Sequence, residues 1–152
     1  MIVSDSTALI ILLDLKRIDL LKNIFEKVMI PKSVYAEISV KKPIDLPEFI
    51  DIVNVKKSDI LHTLKLLLDL GESEAIALAK ELNMPIIIDE KKGRKIAKNL
   101  NIKIIGLLGI VYLNVKKGFI TKEDAEFFLK SAVNHGYRIK SELVDEVLKS
   151  LD

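Results

Sequence analysis

The sequence of 152 residues contains no cysteine, no tryptophan and no glutamine. Without cysteine there are no disulfides, no thiolate zinc sites and no thiol nucleophile. Only 2 histidines are present, which argues against a histidine-rich metal centre. With 4 prolines and 6 glycines, collagen-like, low-complexity and disordered segments are not expected. Neither sign of charge dominates: 24 basic residues face 22 acidic ones, for a net charge of +2. That balance does not demand a nucleic-acid partner, but it permits one if the charges separate into patches. Long hydrophobic runs are missing as well. The longest near the N-terminus, Ala8 to Leu13, is too short to span a bilayer and is followed by Asp14, Lys16 and Arg17. It lacks the basic start and small-residue cleavage site of a signal peptide, so a soluble, cytoplasmic protein without membrane contact is expected.

What is present is apolar and charged: 49% and 30% of the residues respectively. A single domain over residues 1–152 is expected, and a chain of this length buries about two thirds of its unfolded surface. The abundance of Lys, Glu, Ile and Leu resembles a thermophile or AT-rich composition. It lowers the weight of any single Lys or Glu.

Short β-like runs alternate with longer helical ones. Met1 to Asp5 reads as a strand ending in an acid. Ser6 to Leu21 reads as helix, broken near Lys16 to Asp19. Val28 to Ile30 is a buried strand, and Pro31 suits the start of a helix running to Val40. Lys41 to Pro47 is a loop, and Phe49 to Val55 an edge strand. Asp59 to Leu70 is helical with Gly71 as its end, and Glu72 to Leu82 is a second helix. Pro85 to Ile88 is a strand ended by Asp89, followed by helix from Lys91 to Leu100. Ile102 to Ile105 is the last strand, then helix from Leu107 to Lys117. Thr121 and Ser141 are expected to cap the final two helices. Strands separated by helices imply parallel pairing and right-handed crossovers. The expected fold is an α/β, three-layer α/β/α sandwich around about five parallel strands. Its site should lie beyond the C-terminal strand ends.

Two acids stand at such ends. Asp5 follows Ile2-Val3-Ser4, and Asp89 follows Ile86-Ile87-Ile88. Either acid alone also reads as a helix N-cap. Two at equivalent positions favour a site. Helical spacing adds Glu37, which borders the Val34 and Ile38 stripe, and Glu72, which extends the stripe of Ala75, Ile76 and Ala79. Glu74 is turned about 200° from Glu72, so Glu72 is preferred. A solvated first-turn carboxylate is the competing explanation for Glu72. Four clustered carboxylates need protons or a cation to offset their repulsion. An all-oxygen donor set suits Mg²⁺ or Mn²⁺, and the matching chemistry is attack of water on a phosphodiester.

The segments Val3-Ser-Asp-Ser-Thr-Ala-Leu9, Ile30-Pro-Lys-Ser-Val-Tyr-Ala-Glu-Ile38, Gly71-Glu-Ser-Glu-Ala-Ile-Ala-Leu-Ala79 and Ile86-Ile-Ile-Asp-Glu-Lys-Lys-Gly-Arg-Lys95 together resemble the PIN-domain ribonucleases. These are best known as the toxins of VapBC-type toxin–antitoxin pairs. The chain is most similar to a short prokaryotic branch of PIN-like proteins, and the stretches Ile104 to Gly109 and Lys117 to Ile120 fit that branch. The resemblance implies that the family's four acids fall on Asp5, Glu37, Glu72 and Asp89. Glu72 stands where better-known members more often have Asp, and Ile88-Asp89-Glu90 replaces their Thr-x-Asp, which makes Glu90 a competitor for the fourth place. Ser6 and Thr7 would bond a ligand carboxylate or a bound water. Arg94, with Lys95, would contact phosphate, a surface ion pair being the alternative for Arg94. The resemblance further implies RNA as substrate, Mg²⁺ or Mn²⁺ as cofactor, an antitoxin partner and a homodimer. A PIN-like binding or assembly module without turnover is the alternative.

Other patterns carry less. No nucleophile elbow, P-loop or dinucleotide fingerprint occurs. His62 and His135 read as surface or helix-end residues. Paired cations recur from Lys41-Lys42 to Lys116-Lys117 and read mostly as solvated surface. The group from Lys91 to Lys95 is the best candidate for nucleic-acid contact because it follows Asp89. The aromatics are scattered and form no stacking platform.

Overall fold

The protein is seen in a computed structural model that describes residues 1–151. The chain opens with β1 (Ile2–Ser4), α1 (Ser6–Asp14), α2 (Asp19–Lys22), β2 (Val28–Pro31), α3 (Lys32–Ile38) and β3 (Ile50–Val53). It continues with α4 (Asp59–Lys65), α5 (Leu70–Leu82), β4 (Ile86–Ile87), α6 (Lys91–Asn99) and β5 (Ile104–Ile105). It closes with α7 (Leu107–Lys116), α8 (Lys122–Asn134) and α9 (Ser141–Ser150).

The five strands form one sheet in the order β3-β2-β1-β4-β5, and every pair is parallel. β1 lies in the centre. Ile2 pairs with Val28 on one side, and Val3 with Ile86 on the other. The chain therefore steps outward one way through β2 and β3, then returns to add β4 and β5 on the opposite flank. The order reverses between β1 and β4, and that is where an open α/β sheet leaves a crevice beyond its strand ends.

The layers follow from the period-2 alternation of strand side chains. Ile2, Val28, Ile30 and Ile87 enter a core shared with α1, α7, α8 and α9. Val3, Ile86 and Ile88 enter the opposite core, with Leu61 and Leu64 of α4, Ala75 to Ala79 of α5 and Ala97 of α6. Two apolar layers on one parallel sheet make the expected three-layer sandwich. β4 is a continuous Ile run and β1 opens with Ile2-Val3 because both of their faces are covered, whereas edge strand β3 carries Asp51 and leaves Ile52 exposed.

Several boundaries differ from the sequence reading. The apolar spacing predicts one helix over 59–70, ended by Gly71. Instead α4 ends at Lys65, and Asp69 accepts the Glu72 N–H at 2.9 Å as the N-cap of α5. Gly71 thus lies in the first turn of α5. The carboxylate of Asp69 satisfies a donor that the helix cannot, and that preference outweighs apolar periodicity. Lys140, not Ser141, is the N-cap of α9, and no side chain bonds there. α3 stops at Ile38 rather than Val40. Strands β3, β4 and β5 are shorter than predicted, because the pairing partner and not the apolar run sets their length. Thr121 caps α8 as expected, accepting the Asp124 N–H at 3.1 Å.

Candidate active site

The acids at the strand ends face one crevice. Asp5 directly follows β1, and its own N–H bonds Ile87 O at 3.0 Å, so backbone pairing fixes it beside β4. The residue is only 4% exposed. Oδ1 is buried and has no hydrogen-bond partner among the described residues. Burial, against the pull of the Ser6 N–H and with repulsion from Glu37, Asp69 and Asp89, pushes its carboxyl up to about 7.

Glu72 sits in the first turn of α5 and is 9% exposed. Its Oε2 is likewise buried without a partner among the described residues. That oxygen lies 3.0 Å from where a Cβ on Gly93 would stand, so the start of α6 packs against it. Desolvation acts first on this carboxyl. Repulsion from Asp69, Asp5 and Glu90 adds to it and raises it to about 9. Glu74 is half-buried and lies two residues further along α5, turned about 200° from Glu72.

Glu37 reaches the crevice from the last turn of α3. The Ser6 hydroxyl donates to its Oε2 at 2.8 Å, joining residues 31 positions apart. The carboxylate lies over the backbone of Gly71, in the space a Cβ there would fill. Partial burial raises it, the Ser6 bond lowers it, and Asp69 raises it again. Thr7, beside Ser6 in α1, is half-buried.

Asp89 is held by two donors from different elements. The Tyr137 hydroxyl donates to its Oδ1 at 2.8 Å, and the Leu107 N–H reaches Oδ1 at 3.1 Å and Oδ2 at 3.3 Å. Leu107 opens α7, whose N-cap is Gly106. A Cβ on Gly106 would stand 2.7 Å from Asp89 Oδ1 and 2.8 Å from Arg94 Nη1, so the site leaves no room for a capping side chain. Asp89 does the capping from across the sheet end. Burial raises its carboxyl, while Tyr137, Leu107 and Arg94 lower it. Glu90 is exposed and caps α6, accepting the Gly93 N–H at 2.9 Å, which holds it below the usual range. It also lies near enough to raise the Glu72 carboxyl by repulsion, so both Asp89 and Glu90 border the cluster.

Asp69 belongs to this group and the sequence reading missed it. It repels Asp5, Glu37 and Glu72 at once. The pattern Asp69-Leu-Gly-Glu72 is a capping-box spacing and could have revealed it. The predicted helix over 59–70 hid it by treating Asp69 as helix interior. Tyr137, 48 residues from Asp89, was missed too, and no local pattern points to it.

The acidic group adjoins a basic groove of about 870 Å³. Lys91, Arg94, Lys95 and Lys98 of α6 line one side, with Arg138 and Lys140 before α9. Asp89 is the single acid on its wall. Arg94 is half-buried and donates to Ile88 O at 3.1 Å, which anchors its guanidinium at the end of β4. Two lysines in the first turn of α6 oppose its macrodipole, so helix stability does not account for them.

The donor set fits a hard divalent cation. It is all oxygen, and two buried carboxylate oxygens, on Asp5 and Glu72, lack partners. Buried polar atoms normally have partners, so a cation or bound protons are needed there. No three His, Asp or Glu side chains among the described residues already stand close enough to hold one ion together. No helix among the described residues is long and apolar enough to cross a membrane. No curated protein matches the chain. A family model of the PIN domain matches residues 1–152, and the chain belongs to the PIN-domain family.

Proposed function

We propose that the protein is a Mg²⁺- or Mn²⁺-dependent endoribonuclease, acting as the toxin of a toxin–antitoxin pair. Membership of the PIN-domain family supports a hydrolase with nuclease potential, since PIN domains are generally nucleases that use divalent metals. The observation that carries the finer reading is the pair of orphaned oxygens, Asp5 Oδ1 and Glu72 Oε2, at the reversal point of the sheet.

Asp5 and Glu72 would hold the ion, with Glu37, Asp69 and Asp89 completing the acidic pocket. When bound, the ion offsets charge on the phosphate and makes a water a better nucleophile. Ser6 keeps the Glu37 carboxylate turned inward. Lys91, Lys95 and Lys98 attract the RNA backbone along the groove, and the anchored Arg94 bonds a phosphate oxygen. An antitoxin and a second copy of the chain are the protein partners this reading brings, and sedimentation at micromolar concentration tests the latter.

Incubation with single-stranded RNA tests the reading. Cleavage in Mn²⁺, its loss in EDTA and its loss in Asp5→Asn are expected. Growth arrest on expression in a bacterial host, relieved by the same substitution, is expected for a toxin. A second reading is favoured by one observation: Asp89 is fully engaged by Tyr137 and Leu107. A binding module of this shape would hold RNA in the groove and leave it uncut in Mn²⁺.

A further inference from the structure

We propose that Tyr137 is a positioning residue for Asp89, so that the segment between α8 and α9 forms part of the active site. This rests on the nuclease reading above. The argument starts at the end of α8. Gly136 has φ +105, and its N–H bonds Val133 O at 3.1 Å, while the Tyr137 N–H bonds Ala132 O at 2.9 Å. These two bonds make a Schellman stop, which a glycine in that conformation permits. The stop fixes the residue that follows it. Tyr137 is thereby turned back into the protein, and only 5% of it is exposed.

Packing alone does not account for this side chain. A phenylalanine fills the same space without a polar atom to bury, and a buried tyrosine hydroxyl needs a partner. That partner is Asp89 Oδ1, 2.8 Å away. The same oxygen takes the Leu107 N–H at 3.1 Å. Two donors from two elements, α7 and the α8–α9 turn, set the plane of the carboxylate. With the Cβ of Gly106 absent, the carboxylate fits against the start of α7 and Arg94. If Tyr137 loses its hydroxyl, one donor remains, and Asp89 is free to turn about its side-chain bonds. The backbone around it stays in place.

The test uses the full chain, with Mn²⁺ alone as the ligand, and three variants. Tyr137→Phe removes the hydroxyl and keeps the ring. Tyr137→Leu removes both. Leu148→Ala loosens buried packing of α9 without touching Asp89. Calorimetry reads Mn²⁺ affinity, and NMR hydrogen exchange reads the Leu107 amide in metal-free protein. The expected result is a loss of affinity of about 10–100-fold in both Tyr137 variants, with faster Leu107 exchange. Leu148→Ala is expected to lower thermal stability and keep the wild-type affinity. Wild-type affinity and Leu107 protection in Tyr137→Phe overturn the inference. So does an equal loss of affinity in Leu148→Ala, which would mark a general loosening. A wild type that binds no Mn²⁺ overturns the nuclease reading and this inference together, whereas the preceding two results overturn the inference alone.

Discussion

The carboxylate of Glu37 rests on the bare backbone of Gly71, in the space where any other residue would place its Cβ. Gly71→Ala is therefore expected to push Glu37 off its Ser6 bond and out of the crevice. The end of a flexible side chain can move, so the fold survives. Alanine in a helical turn is even favoured over glycine by about 1 kcal/mol. Thermal denaturation should show unchanged or slightly raised stability. Calorimetry should show weaker Mn²⁺ binding. A large drop in stability would mean that Glu37 has nowhere to go.

Protons and cation compete for the same oxygens, which gives a pH dependence with a definite sign. Unfolded, Asp5 and Glu72 ionise near 3.8 and 4.5, and in the folded protein near about 7 and about 9. Between those limits the folded chain keeps protons that the unfolded chain has lost. Their contribution to stability is fully present below the unfolded values. It is lost as pH rises through about 7 for Asp5 and about 9 for Glu72. The urea midpoint in EDTA should accordingly fall from about pH 5 to about pH 9. Saturating Mn²⁺ should flatten that fall, because a ligand of the folded state alone stabilises it. A midpoint that rises with pH in EDTA would show these carboxyls to be ionised and satisfied.

Asp69 separates capping from ion binding. Asparagine caps a helix about as well as aspartate, so Asp69→Asn should keep α5 and its N-terminal bond. It removes a charge that acts on Asp5, Glu37 and Glu72 together. The expected result is a Mn²⁺ affinity lower by about 10–100-fold with the melting temperature held. Equal affinity would restrict Asp69 to capping.

The groove along α6 is tested by salt. Each phosphate contact to a single strand changes the slope of log K against log salt by about 0.7. Lys98→Ala, on the groove wall and away from the acids, should weaken RNA binding and flatten that slope by about one contact. Cleavage at saturating RNA should persist. An unchanged slope would place the RNA elsewhere.

Much of this arrangement was legible in the sequence. Ile86-Ile87-Ile88-Asp89 and Ile2-Val3-Ser4-Asp5 announce strands ended by acids, because a strand buried on both faces reads as a continuous apolar run. The helical stripes orient Glu37 and Glu72 towards the crevice at the strand ends. What stayed hidden depends on pairing or on distant packing. The order β3-β2-β1-β4-β5 is set by crossovers that no local pattern encodes. Asp69 was masked by the apolar residues around it, and its role follows from the helix that starts just after it. Tyr137 meets Asp89 only because a glycine stop turns the chain back. Ser141 looked like a cap, yet the chain enters α9 one residue earlier.

The central claim is that a divalent ion sits among these acids, and Mn²⁺ titration calorimetry of wild type and Asp5→Asn near neutral pH addresses it most directly. The variant replaces a buried charge, one of whose oxygens has no partner among the described residues, by a neutral amide, and should be more stable in EDTA at about pH 8 by about 1–3 kcal/mol. The account predicts Mn²⁺ binding by wild type and its loss in this folded, stabilised variant. Equal binding by both proteins, or none by the wild type, would contradict it.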